Sequence, residues 1–269
     1  MRLGVFADVH ANLHALDVVL GALEAEGAQR LVCAGDLVGY GPRPVECVRR
    51  IGELGVPCVA GNHDLIAIGR LEDDDCIALA RRSLRWTASE LDDAATAALA
   101  ALPWEEAVEG VAVAHGSPGD PREYVTTAAR ARELLAALDA GAAGLVLGHT
   151  HLPMLVAERS GSLLGADGAP PGDGATVALP PGERFLLNPG AVGQSRERVV
   201  RARAAVLDLE RREVRFLALP YDHAAVAAEL RERGLSPRGV HLPPPSRLRR
   251  AGRTAAWYWR WAGRKLRRR

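Results

Sequence analysis

Leu145 to His151 reads LVLGHTH. Three aliphatic residues run into a glycine, and two histidines follow with one threonine between them. A short apolar run bounded by glycine fits a buried strand, and residues two apart on a strand share a face. Both imidazoles are therefore expected to project together from a strand end. Alone the pair decides little, because paired histidines are more often surface side chains or satisfied hydrogen-bonding groups than metal ligands. Partners elsewhere in the chain must decide it.

Those partners sit in a chain of 269 residues, 48% hydrophobic, enough for one large domain or two small ones. No apolar run reaches the length of a transmembrane helix. The start, MRLGVFADVH, meets Asp8 and His10 at once and is not expected to act as a signal peptide. Cys33, Cys47, Cys58 and Cys76 form no CxxC pair, so they are expected as buried thiols in a reducing cytoplasm. The net charge of +1 hides an asymmetry: Ser246 to Arg269 holds ten basic residues and no acid, leaving residues 1–245 at a net −9.

Working outward from LVLGHTH, the first third alternates strand-like runs (RLGVFAD, RLVCAGD, VPCVAGNHD) with helical segments, an order that argues for parallel strands under covering helices. Residues 65–102 are mostly helical and form a cap, in which Trp86 is expected to pack as core rather than to stack on a base. VAVAHGS resumes the strands, and a helix is expected near Ala128 to Leu138. Beyond LVLGHTH the pattern turns to β (MLVAER, RFLLNPGAV, RARAAVLDLE, EVRFLALPY), with Gly161 to Gly182 expected as a long hairpin loop. A last helix precedes the linker HLPPPS and the basic tail. The organisation is one domain over residues 1–240 and a Pro-rich linker with tail over 241–269.

Each predicted strand ends in metal-ligand chemistry: Asp8 and His10, Asp36, Asn62-His63-Asp64, His115, and His149 with His151. In a parallel α/β sheet the carboxyl ends share one edge, where ligands bind. A capped strand end explains Asp36 or Asn62 singly; it does not explain five histidines converging. Mixed carboxylate, imidazole and amide oxygen suits Mn, Fe or Zn rather than a thiolate site. Seven ligands are too many for one tetrahedral ion and about right for two sharing a carboxylate, the arrangement that clamps a phosphoryl group in transfer. His149 and His151 then give one ligand to each ion.

The blocks DVHANLHAL (Asp8–Leu16), AGDLVGYGPRPVECV (Ala34–Val48), AGNHD (Ala60–Asp64), AHGSP (Ala114–Pro118), LGHTHLPM (Leu147–Met154) and NPGAVGQSR (Asn188–Arg196) resemble the calcineurin-like metallophosphoesterase superfamily. Within it they are similar to the small prokaryotic branch of predicted phosphodiesterases and diadenosine-tetraphosphatase-like proteins. The resemblance covers Met1 to about Leu235 and implies an α/β sandwich of two mixed sheets flanked by helices. It implies that Asp8, His10 and His151 hold one ion, that Asn62, His115 and His149 hold a second, and that Asp36 bridges them. The ions would be manganese first, with iron, zinc, cobalt or nickel as alternatives. A hydroxide between them would attack a phosphodiester or phosphomonoester, with a nucleotide the favoured substrate. His63 would serve the transition state without holding metal, and Asp64 would orient it. Asn62 and Arg196 are candidate substrate contacts. A phosphoprotein phosphatase and a non-catalytic scaffold of the same fold are the alternatives.

The tail stands outside this resemblance. Trp257, Tyr258, Trp259 and Trp261 among its arginines suit an anionic membrane surface, or else nucleic acid. A cytoplasmic protein, peripheral to a membrane through residues 246–269, is the expectation.

Overall fold

The computed structural model describes residues 1–165 and 171–244; the basic aromatic tail, and with it the expected surface-binding segment, lies outside the described residues. The chain opens with β1 (Arg2–Phe6), α1 (Leu13–Ala25), β2 (Arg30–Cys33) and α2 (Pro44–Glu53). Three helices, α3 (Asn62–Ala67), α4 (Ala78–Glu90) and α5 (Asp93–Ala101), fill the stretch expected to be mostly helical. Next come β3 (Glu105–Val108), β4 (Val111–Ala114), α6 (Ala128–Ala137), β5 (Gly144–Val146), β6 (Met154–Ala157) and β7 (Gly161–Leu164). Then follow β8 (Thr176–Ala178), β9 (Phe185–Asn188), β10 (Ala202–Asp208), β11 (Glu213–Leu219) and α7 (His223–Glu232).

The strands make two mixed sheets, ordered β2-β1-β10-β11-β8 and β3-β4-β5-β9-β6-β7. Alternation along the strands builds the sandwich. Leu3, Val5, Leu207 and Phe216 of the first sheet face Val113, Val146, Leu155 and Leu187 of the second in one buried cluster. Their neighbours, Phe6, Ala204 and Val206, point the other way and pack with Leu16, Val19 and Leu23 of α1. On the far side Leu134 and Leu135 of α6 cover Leu145 and Leu186. Each such aliphatic side chain contributes about 1.5–3 kcal/mol on full burial. Asn12 starts α1 by accepting the Ala15 N–H at 3.1 Å, and its amide nitrogen donates to the Gly193 carbonyl at 3.0 Å.

Two expectations are corrected. The third expected strand, VPCVAGNHD, is reduced to one bridge, Cys33 opposite Cys58. Pro57 has no N–H to give a ladder, and from Ala60 the backbone pairs with the Pro103 carbonyl instead. The expected hairpin loop over 161–182 carries β7 and β8, and β8 joins β11 in the other sheet. Trp86 packs as expected, against Val226 and Leu230 of α7, with the Arg233 guanidinium 5.6 Å from its ring. The four cysteines are free thiols, three of them buried. No described helix is long and apolar enough to cross a membrane.

Candidate active site

The candidate ligands sit just past strand ends. Asp8 and His10 follow β1, Asp36 follows β2, His115 follows β4, and His149 and His151 follow β5, while Asn62, His63 and Asp64 open α3. β1 and β2 belong to one sheet and β4 and β5 to the other. The site therefore spans the carboxyl edges of both sheets rather than one edge of a single sheet. All nine side chains lie between 0% and 6% exposed, so each polar group must find a partner inside the protein or in a bound ion.

The backbone at these positions is unusual. Among the described residues nine non-glycine residues have positive φ, and five of them are Asp8, His10, Asp36, His149 and His151. Left-handed backbone costs an L-residue about 1–2 kcal/mol, and Asp and His tolerate it better than most. This overturns the simple strand picture for His149 and His151. β5 ends at Val146, and the two histidines lie in a left-handed turn beyond it, with φ of 64° and 62°. The turn sends them apart rather than to one face: His151 joins Asp8 and His10, whereas His149 joins Asp36 and His115. Ligand atoms within each of these groups lie within 4.8 Å of one another.

Distances tie the groups into one cluster. The Nε2 atoms of His10 and His151 are 3.0 Å apart, and His151 Nε2 is 3.5 Å from Asp8 Oδ1. His115 Nε2 lies 3.3 Å from Asp36 Oδ2 and 3.2 Å from Asn62 Oδ1. Asp36 Oδ2 also lies 3.6 Å from His10 Nε2, which puts this carboxylate between the two groups. Three rings are held by donation from Nδ1 to a backbone carbonyl: His10 to Val38 at 3.1 Å, His115 to Ala34 at 2.7 Å and His151 to Gln194 at 2.8 Å. With Nδ1 committed in each ring, Nε2 is the atom that faces the cluster, and at His10 and His151 it is the lone-pair atom. His149 is turned the other way, its Nε2 3.2 Å from the Arg122 carbonyl, so Nδ1 is its free lone pair.

Two buried carboxylate oxygens, Asp8 Oδ2 and Asp36 Oδ2, have no hydrogen-bond partner. Converging imidazole lone pairs beside orphaned carboxylate oxygens are what divalent cations need, and the donor set contains no thiolate. The residues fit a metal centre.

Electrostatics agrees. Burial pushes the Asp8 carboxyl up, with His115 and Asp36 acting in opposite directions upon it. Asp36 goes the other way: burial opposes its charge, but His115 and His63 hold it well below the usual carboxylate range. Burial likewise opposes charge on His115, and the Asp36 carboxylate outweighs it, so His115 is pushed up to about 10. Burial lowers His10, His149 and His151 and keeps their lone pairs free.

His63 adjoins this cluster, with a ring nitrogen within 4.8 Å of ligand atoms of His10 and Asp36. Its backbone N–H donates to Asp36 Oδ1 at 2.8 Å, its ring lies 4.8 Å from that of His10 and 4.7 Å from that of Tyr40, and its Nδ1 is buried without a partner. Gly39 is what makes room for it: a Cβ there would run into His63 Nδ1. Asp64 acts on His63 through the backbone rather than through the ring. Asp64 accepts the Gly61 N–H at 2.9 Å and the Val38 N–H at 3.1 Å. Both oxygens are thereby engaged by backbone, so Asp64 caps α3 and fixes the main chain that carries His63.

Sequence reasoning missed three side chains. Tyr40 packs edge-on to His10 at 4.7 Å. Tyr124 lies on His149 with ring centres 4.1 Å apart. Gln194 is fully buried, and its carbonyl holds His151. Only the flanking glycines of Tyr40 gave a local signal; Tyr124 and Gln194 are brought in by the fold. Arg196, a candidate from sequence, does reach the site: it donates to Gln194 Oε1 at 3.3 Å and to the Tyr124 hydroxyl at 3.4 Å. Its loop is pinned by a buried two-bond fork between Arg203 and Glu197, both bonds 2.6 Å. Ser195 also pairs with Val240 and Leu242.

Comparison with known proteins agrees with this geometry. A crystal structure of a metallophosphoesterase from Sphaerobacter thermophilus superimposes with a TM-score of 0.76 at 37% identity, covering 89% of this chain and 96% of that one. A hypothetical protein from Pyrococcus horikoshii OT3 superimposes at 0.71 over 89% of this chain and 96% of its own, with 17% identity, which supports the fold alone. An uncharacterized protein of Methanocaldococcus jannaschii is 29% identical over 231 residues, 82% of this chain and 88% of that protein. The profile of the calcineurin-like phosphoesterase superfamily domain matches residues 1–212, a span holding every residue of the cluster. The chain belongs to that superfamily, and it is a metal-dependent hydrolase of phosphoric ester bonds.

Proposed function

We propose that this enzyme hydrolyses a phosphodiester or phosphomonoester with two divalent ions, manganese first, held by the buried cluster, and that its substrate carries a nucleotide. Asp8, His10 and His151 would hold one ion, Asn62, His115 and His149 the other, with Asp36 between them. The observation that carries this reading is the place of Asp36, within reach of both histidine groups and with one buried oxygen unpartnered. Two cations there supply Lewis acidity and an activated water. The chain does the rest. Backbone carbonyls lock the ring tautomers, α3 presents His63, and the close Gly39–His63 approach holds that ring in place. Burial lowers His63 to about 4, so at neutral pH it serves as an uncharged hydrogen-bond donor to the phosphoryl oxygens.

Chelated protein should be inactive on bis-p-nitrophenyl phosphate, and Mn, Co or Ni should restore turnover. His63→Ala should lower kcat by about 10²–10⁴-fold with metal content retained, whereas Asp36→Ala should lose metal as well as rate. Undiminished turnover after chelation sinks the metal mechanism. Equal metal loss in both variants sinks the separate role of His63.

A further inference from the structure

Arg196 has no ion-pair partner among the described residues; its hydrogen bonds run to neutral oxygens of Gln194 and Tyr124. The contrast with Arg203 is direct, since that buried arginine is fully matched by the Glu197 fork. An arginine tethered by long bonds to neutral groups keeps most of its five donors unspent. Its charge bears on Asp8, His10, His63, His149 and His151 together, so it lies within electrostatic reach of five residues of the site. A cation beside a site that itself gathers cations is repelled unless an anion arrives to join them.

The loop is built to hold Arg196 there. Its neighbour Gln194 is fully buried, grips His151 through its carbonyl, and carries a buried Nε2 with no partner. On the other side of Arg196, Glu197 is locked to Arg203, and its carbonyl is met by His241 Nε2 at 2.8 Å. The tether's second end, Tyr124, is 42% exposed. Its ring packs against His149 at a 47° tilt, and the guanidinium lies over it 6.0 Å from its centre. An aromatic ring half open to solvent, one step from both the arginine and a proposed ligand, is a stacking platform.

We infer that Arg196 and Tyr124 form the recognition site for substrate: the guanidinium takes an anionic phosphoryl oxygen while the open part of the Tyr124 ring receives a flat group esterified to that phosphate. The substrate class is then a nucleoside or aryl phosphoester. This rests on the metal-centre reading above and deepens it. Arg196 touches substrate through charge-assisted bonds, and Tyr124 discriminates between flat and aliphatic esters.

The test uses metal-loaded full-length protein and two readouts. Thymidine 5′-monophosphate binding is followed by calorimetry, and hydrolysis of thymidine 5′-p-nitrophenyl phosphate by kcat and KM. Arg196→Gln should weaken nucleotide binding and lower kcat/KM by about 10- to 150-fold, the worth of a charged hydrogen bond, with metal content unchanged. Arg196→Lys should recover only part of this, because an ammonium cannot form the fork. Tyr124→Leu should raise KM about 5- to 20-fold with kcat nearly constant, and Tyr124→Phe should retain the stack. If Arg196→Gln binds the nucleotide as tightly as the parent, the inference is overturned whether or not the protein turns over. A parent that binds nucleotide but hydrolyses no ester with any metal would instead overturn the proposed function.

Discussion

Adding one methyl group at Gly39 should disable the enzyme without emptying its metal centre. Gly39 has φ of 85°, and an L-residue there costs about 1–2 kcal/mol. The new Cβ would also press on His63, meeting Nδ1 first and lying 3.2 Å from Cγ and 3.4 Å from Cβ. The His63 main chain cannot retreat, because its N–H is bonded to Asp36 and its helix is capped by Asp64. The ring must therefore leave its rotamer, at about 0.5–1.5 kcal/mol. We expect Gly39→Ala to lose about 2–3 kcal/mol by urea unfolding. Its kcat should fall about 100-fold, the usual consequence of misplacing a catalytic group by about an ångström. Gly55→Ala is the control: φ is 59° and nothing lies within 4 Å of its new Cβ, so backbone strain is tested alone. That variant should be slightly destabilised and fully active. A Gly39→Ala enzyme with kcat within twofold of the parent would refute the placement of His63 or its role.

Metal affinity should rise with pH between about 6 and 8. Asp8, pushed up to about 7, and His115, pushed up to about 10, both carry protons that an ion must displace. Affinity should fall by about tenfold per displaced proton as pH drops one unit, and calorimetry in two buffers of different ionisation enthalpy counts the protons; a flat profile contradicts the assignment. Glu197→Gln should destabilise the protein by about 3–5 kcal/mol by leaving the buried charge of Arg203 without its carboxylate. Thermal unfolding should register this, and the double variant Glu197→Leu/Arg203→Met should regain most of the loss. Deleting residues 246–269 should leave turnover of a small soluble ester intact while abolishing salt-sensitive binding to anionic liposomes. Equal binding by the truncated chain would remove the proposed membrane role of the tail.

The candidate site was legible wherever chemistry follows directly on an apolar run. Asp8, Asp36, His115 and His149 each close such a run, and the parallel pairs β1–β2 and β4–β5 do bring those ends together. The conformation at the ends was not legible. Asp8-Val9-His10 and His149-Thr150-His151 both read as alternating strand, yet every acid or imidazole in them is left-handed. Propensity describes the strand that precedes and says nothing of the turn that spends it. Tyr124, Gln194 and the capping role of Asp64 depend on contacts between segments far apart in the chain, which no local spacing encodes. β8 was hidden for a different reason: three residues in a stretch rich in glycine and proline make too weak a period to recognise.

Holding the proposed ions with left-handed residues would tie the amount of this protein to its metal supply. Five strained residues at about 1 kcal/mol each store on the order of 5 kcal/mol, a large share of the 5–15 kcal/mol by which folded domains typically exceed their unfolded chains. Each bound ion, at about a hundredfold excess over its dissociation constant, returns roughly 2.7 kcal/mol. The two proposed ions would therefore offset about what the turns cost. In a cell short of metal the chain would lose more than its activity: its unfolded fraction would rise by several orders of magnitude and be cleared by proteolysis. Abundance itself would then follow the supply of metal, with the turns at Asp8, Asp36 and His149 as the element that responds.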